Sequence, residues 1–125
     1  MKIEVSVGEL VDKVTILEIK VEKINDRSKL ENISKEYKLL KTALKGMSIT
    51  TDSQDFKRLK QVNLRLWKIE DDIRLKEFQQ EFDQEFIKLA RAVYFENDSR
   101  AAIKQEINLK YNSELKEEKQ YVDYK

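Results

Sequence analysis

The stretch from Arg91 to Asn108 holds the residues best suited to chemistry. Arg100 and Lys104 stand one helical turn apart, and Asn108 follows on the same side. Together with Arg91 they could hold a carboxylate or a phosphate, because a guanidinium and an ammonium bring fixed donors and positive charge. A nearby helix start would add to that attraction. Asn97 and Asp98 in the same stretch suit an interhelical corner. The plainer reading is a capped corner carrying ordinary surface charges. Glu70-Asp71-Asp72 is the other eye-catching group, with oxygens of the kind that bind Mg²⁺. Three successive helical residues point in different directions, however, whereas a metal needs converging ligands. No metal site and no cofactor is expected.

Composition narrows the chemistry further. Among 125 residues there is no Pro, no Cys and no His. That removes thiol nucleophiles, disulfide frameworks and most of the side chains of catalytic triads. An enzyme is therefore less expected than a non-catalytic protein. Lys+Arg number 25 against 24 Asp+Glu, a net charge of +1. A nearly neutral chain has no global field for polyanions, so nucleic-acid binding is not expected. Locally the charge is uneven: Arg27 to Lys68 is mostly basic and Glu70 to Asp98 mostly acidic. One reading is a basic surface on Lys38, Lys41 and Lys45; the preferred one is two segments lying side by side and neutralising each other. No window approaches the roughly 18 uncharged apolar residues of a membrane span, and Met1 to Val5 lacks a signal-peptide core. Cytoplasm is the expected location.

The elements that must position these groups are helices. Ile3, Val5 and Val7 alternate with polar residues and read as a short extended segment, a candidate strand. Ser6-Val7-Gly8-Glu9 fits a capping box, with Val5 and Leu10 as a hydrophobic staple. Helix one then carries Leu10, Val14, Leu17, Val21 and Ile24, with Ile16 and Ile19 on a second face. Ser28-x-x-Glu31 suggests another capping box; Leu30, Ile33, Tyr37, Leu40 and Leu44 follow, and Gly46 is a natural left-handed stop. Residues 47–54 read as a loop without core residues, suitable for a tag. From about Asp55, helix three places Leu59, Val62, Leu66, Ile69 and Ile73 on one face and Leu64, Trp67, Leu75 and Phe78 roughly opposite. Asp83 caps helix four, which carries Phe86, Leu89, Ala90 and Val93. Asn97-Asp98-Ser99 ends it and caps helix five, with Ala102, Ile103 and Ile107. The β-prone tail around Tyr121 to Tyr124 could pair with the N-terminal segment. The expected architecture is one all-α domain over 1–125: a bundle of about five helices, two of them long and in the N-terminal half.

Helices with two apolar faces bury more than a small monomer needs. Ile16, Ile19, Leu64, Trp67, Leu75 and Phe78 are the expected oligomer interface, in a homodimer with coiled-coil-like packing. A compact monomer with helix three at its centre is the alternative.

Two enzyme classes are worth weighing. All-α nucleotide pyrophosphatases pair E-x-x-E with E-x-x-D; here Glu9-x-x-Asp12 comes first and Glu114-x-x-Glu117 last, in reversed order and at the wrong spacing. Leu66 to Arg74 is weakly similar to the first helix of all-α chorismate mutases, which would make Arg65, Arg74, Arg91 and Lys104 candidates around a dicarboxylate.

A broader likeness spans most of the chain. Met1-Lys2-Ile3-Glu4-Val5-Ser6-Val7-Gly8-Glu9-Leu10-Val11-Asp12-Lys13 with Thr15-Ile16-Leu17-Glu18-Ile19-Lys20 resembles the opening of a small uncharacterised family found in bacteria and marine cyanophages. Leu66-Trp67-x-Ile69-Glu70-Asp71-x-Ile73-Arg74, Phe86-Ile87-x-Leu89-Ala90-Arg91-x-Val93-Tyr94 and Asn97-Asp98-x-Arg100-Ala101-Ala102-x-Lys104-x-x-Ile107-Asn108 resemble its inner blocks. Glu117-Glu118-Lys119 with Tyr121 resembles its close; residues 27–60 fit least distinctively. The resemblance implies an all-helical protein of unknown function and carries over no catalytic residue. A phage-encoded member would act in the host cytoplasm or assemble with virion or host proteins. The function expected from all of this is a homodimeric interaction module with an unidentified protein partner; the alternative is a small all-α enzyme or anion-binding protein, chorismate-mutase-like or nucleotide-binding.

Overall fold

A computed structural model describes residues 1–124. It contains four helices: α1 (Val7–Lys23), α2 (Arg27–Gly46), α3 (Gln54–Phe78) and α4 (Gln84–Lys110). No strand occurs among the described residues, so neither Met1 to Val5 nor the C-terminal tail forms one. The longest helices, α3 with 25 residues and α4 with 27, lie in the C-terminal half rather than the N-terminal half.

The expected fifth helix does not exist as a separate element. Asn97-Asp98-Ser99 are poor helix formers, yet no Pro or Gly interrupts them and α4 runs straight through. Their polar groups find local partners instead. Asn97 accepts from Arg100 Nη1 at 3.5 Å, and the Ser99 hydroxyl reaches the Phe95 carbonyl at 3.4 Å. Asn97 and Asp98 are thus mid-helix and form no interhelical corner.

Side-chain caps set the helix starts. Ser6 accepts from the Glu9 amide at 3.1 Å, Ser53 from Phe56 at 3.2 Å and Asp83 from Phe86 at 3.0 Å. For α2 the cap is Asp26, accepting from Lys29 at 3.0 Å, and not Ser28. The left-handed stops after α2, α3 and α4 are Ser48, Gln80 and Asn112, with φ of 61°, 58° and 50°. Gly46 closes α2 in ordinary helical geometry.

α1 is the central helix and packs against each of the other three. α2 folds back along it, joined by the Tyr37 hydroxyl donating to Glu18 at 2.6 Å. Lys60 of α3 donates to Glu18 at 2.6 Å and to Glu22 at 2.7 Å, tying a third helix to the same spot. Val11, Val14, Leu44, Phe56, Leu59 and Ile107 form the core. Ile49 also belongs to it and is 2% exposed. The loop after α2 is therefore anchored by an apolar side chain, which makes it a poor place for an insertion.

α3 and α4 form an antiparallel hairpin, with cross-helix ion pairs Lys110–Asp55, Arg58–Glu106 and Arg65–Glu96 along its length. Arg65–Glu96 joins the basic stretch to the acidic one, as neutralisation requires. α1 crosses only the half of this hairpin nearest Gln54 and Lys110. Beyond Asn63 on α3 and before Ile103 on α4 no side chain is buried. Past the α1 contact at Arg100 and the tail contact at Tyr94, Phe95 and Asp98, the far end of the hairpin extends beyond the core as two helices resting on each other.

Candidate functional site

α1 is seated on α4 by close backbone approach. A Cβ at Gly8 would lie 2.5 Å from the Lys104 carbonyl oxygen, so only glycine lets the helices meet here. The contact also satisfies the first amides of α1, which have no partner within the helix. Val7 N–H donates to Ser113 Oγ at 3.1 Å and Gly8 N–H to Asn108 Oδ1 at 2.6 Å. Glu9 and Leu10 donate to the side chain and carbonyl of Ser6, each at 3.1 Å. With all four amides taken, this helix start has no donor left for an anion.

One turn further along α1, Asp12 is 1% exposed and carries a charge that must be paired. Arg100 supplies the partner with a two-pronged contact: Nε to Oδ1 at 2.9 Å and Nη2 to Oδ2 at 2.5 Å. Asn63 of α3 completes the knot. Its Nδ2 donates to Asp12 Oδ1 at 2.9 Å and to Thr15 Oγ1 at 2.8 Å. The Asp12 carboxylate holds the Arg100 pKa above its ordinary value, against the opposing effect of burial. Next to this pair, Lys104 Nζ bridges Glu9 at 2.8 Å and Glu117 at 2.7 Å. Burial works against the ammonium, but the hydrogen bonds it donates to Glu117 and Glu9 outweigh it and raise its pKa. The same Lys104 hydrogen bond lowers the pKa of Glu117.

Of the residues expected to bind an anion, Arg100, Lys104 and Asn108 do lie along one side of α4. Each faces α1 and is already engaged by this chain. Arg91 is elsewhere, exposed, with its guanidinium 5.6 Å from the Phe95 ring centroid. Glu9, Asp12 and Glu117, noted in the sequence as an out-of-order pyrophosphatase pattern, do converge. Arg100 and Lys104 hold them, and no group of acidic residues able to bind a metal occurs among the described residues. Thr15, Asn63 and Ser113 escaped sequence reasoning. Their only signal is position: small polar residues set next to apolar stripes.

Beside the knot is an open notch of about 500 Å³, where α1 diverges from the outer hairpin. Ile16, Ile19, Leu66 and Trp67 give it an apolar wall, Asn63, Asn97 and Arg100 a polar floor, and Glu70, Asp71 and Arg74 a charged rim. The six residues expected at an oligomer interface are accordingly divided. Ile19 is 1% exposed within this chain, Ile16 and Trp67 line the notch, and Leu64 is half-buried. Only Leu75 and Phe78 stand free on the outer hairpin, at 55% and 85% exposure. Lys38, Lys41 and Lys45 are exposed on α2.

The tail after α4 doubles back along that helix. Lys104 holds Glu117, and the Tyr124 hydroxyl donates to Asp98, a bond that pushes the phenol pKa up to about 12. The Tyr124 ring lies 5.1 Å from that of Tyr94 and 5.3 Å from that of Phe95. Among the described residues no helix is long and apolar enough to cross a membrane.

No curated protein and no solved structure matches the chain. The profile of one family of unknown function, DUF6165, matches residues 1–124, and the chain belongs to that family.

Proposed function

We propose that this protein is a non-catalytic helical module that self-associates, two copies joining through the outer halves of their α3–α4 hairpins. The observation carrying the reading is that this half has no third helix over it. Leu66, Ile69, Ile73, Phe86, Leu89 and Val93 are half-buried there, while Leu75, Phe78, Phe82 and Ile87 remain 55%, 85%, 56% and 47% exposed. By the usual size of such side chains, these four present on the order of 500 Å² of surface, at the upper end for a monomer. Two helices alone cannot close an apolar core, whereas two hairpins laid together about a two-fold axis make a four-helix bundle. The knot supports the non-catalytic part of the reading: Lys104 is closed off between Glu9 and Glu117, and Asp12 neutralises Arg100 along one edge, so neither cation carries a charge left over for a phosphate or dicarboxylate.

Sedimentation velocity on the wild type and on Phe78→Glu/Phe82→Glu tests this. The wild type is expected to sediment as a dimer in the micromolar range. The double variant is expected to be monomeric with unchanged helical circular dichroism, since neither side chain contributes to the core. A wild type that stays strictly monomeric at high micromolar concentration overturns the proposal.

A further inference from the structure

The notch beside the Asp12–Arg100 pair has the makings of a small-molecule site of a particular electrical character. A guanidinium offers two edges, each able to grip a carboxylate with two parallel hydrogen bonds. The Nε/Nη2 edge of Arg100 is spent on Asp12. The Nη1/Nη2 edge meets only Asn97 Oδ1 at 3.5 Å, too long for a strong bond, and Arg100 lines the notch. Asp12, being buried, fixes the guanidinium in place, so this second edge is preorganised.

Charge decides which ligands can use it. Asp12 neutralises Arg100 from behind. On the rim Arg74 is held by Glu70 at 3.4 Å, and Asp71 has no partner. The notch as a whole is therefore short of positive charge, and a phosphate or a dicarboxylate meets net repulsion. A ligand whose carboxylate is accompanied by an ammonium satisfies both the open Arg100 edge and the surplus rim carboxylate. The apolar wall of Ile16, Leu66 and Trp67 adds a place for a hydrocarbon or aromatic body, and an indole face also attracts an ammonium. We infer that the notch binds a small zwitterion with an apolar body, the simplest being a free α-amino acid with a large branched or aromatic side chain. This inference does not depend on self-association, because the notch lies beside α1 and away from Phe78 and Phe82 at the hairpin's end.

Trp67 is the only tryptophan in the chain, so its emission reports on the notch directly. Selective excitation of Trp67 during titration with leucine and with phenylalanine is expected to give a saturable change. Phenethylamine and 3-phenylpropionate, each keeping one of phenylalanine's two charges, are expected to bind at least about tenfold more weakly, the worth of one charge-assisted contact. In Glu70→Gln/Asp71→Asn, on the exposed rim, the preference is expected to reverse in favour of 3-phenylpropionate, an outcome that a purely structural role would not produce. Arg100→Lys retains a cation for Asp12 but has no second edge, and is expected to lose the phenylalanine response while remaining helical. The inference is overturned if neither amino acid gives a saturable change in the wild type, if phenethylamine binds as tightly as phenylalanine, or if the rim variant leaves the ranking unchanged.

Discussion

Replacing either glycine by alanine should change stability, and in opposite directions. Gly→Ala within a helix ordinarily stabilises by about 0.5–1 kcal/mol, because the unfolded chain loses freedom. At Gly46 nothing lies within 4 Å of the added methyl and φ is not positive, so a gain of about 0.5 kcal/mol is expected at this terminal helical position. At Gly8 the methyl would sit 2.5 Å from the Lys104 oxygen and 3.1 Å from its carbonyl carbon, both backbone atoms that no rotamer change can move. α1 must then lift from α4. Overpacking of this kind costs about 1–3 kcal/mol, and weakening the buried Gly8–Asn108 hydrogen bond adds about 1 kcal/mol or more. After subtracting the helix gain, Gly8→Ala should destabilise by about 1–3 kcal/mol. With a urea m-value near 1.5 kcal/mol/M, its midpoint should fall by about 0.7–2 M while that of Gly46→Ala rises by about 0.3 M. Paired urea denaturation curves followed by circular dichroism would read both. Shifts of the same sign, or a Gly8→Ala curve superimposed on the wild type, would refute the close seating of α1 on α4.

The buried ion pair and the tail yield two more expectations. Asp12→Ala strands the Arg100 guanidinium and should cost about 3–5 kcal/mol, whereas Asp12→Leu/Arg100→Met removes both charges and should recover most of that loss; urea denaturation measures each, and a loss under about 1 kcal/mol for Asp12→Ala would mean that the pair is solvated. Glu117 has its pKa lowered from 4.5 by Lys104, so the stability it contributes is fully present above 4.5 and disappears as pH falls through its folded pKa. Lys104 has its pKa raised from 10.5, so its contribution is fully present below 10.5 and disappears as pH rises through its folded pKa. The tail should accordingly stay docked between these limits and release on acidification, seen as loss of the Tyr124 ring-current shifts in NMR spectra; the same acid transition in Glu117→Gln would disprove the assignment.

Local signals made much of the fold legible. Ser6 and Asp83 cap helices where a polar acceptor stands three residues before an amide in need of one, and 3-then-4 spacing identified the stripes around Val14 and Leu59. What the sequence hid was tertiary. Asn97-Asp98-Ser99 reads as a break by propensity, but neighbours supplied by the folded chain satisfy its polar groups within α4. Ile49 is one apolar residue in a polar loop, too little for a periodic signal, although it reaches the core. The second face of α1 through Ile19 is covered from inside, because α1 sits at the centre and not at the rim. At the site, the one-turn spacing of Arg100, Lys104 and Asn108 revealed their common side. It could not reveal that Asp12 and Glu9, 88 and 95 residues before their partners, and Glu117, in the tail that doubles back, face them and consume most of their charge.

The seating of α1 also dictates an order of events during synthesis. Val7 and Gly8 are made before the other helices, yet their amides bond to Ser113 and Asn108, which follow 106 and 100 residues later. Until those residues emerge, the nascent α1–α2 hairpin has neither the backbone seat nor the cation for Asp12. Val11 and Val14, both 0% exposed in the finished molecule, belong to a core that Ile103 and Ile107 of α4 help to close. The part of the core that α4 supplies, Ile103 and Ile107, thus closes only once the last helix has been made, whatever α1, α2 and α3 have formed before it.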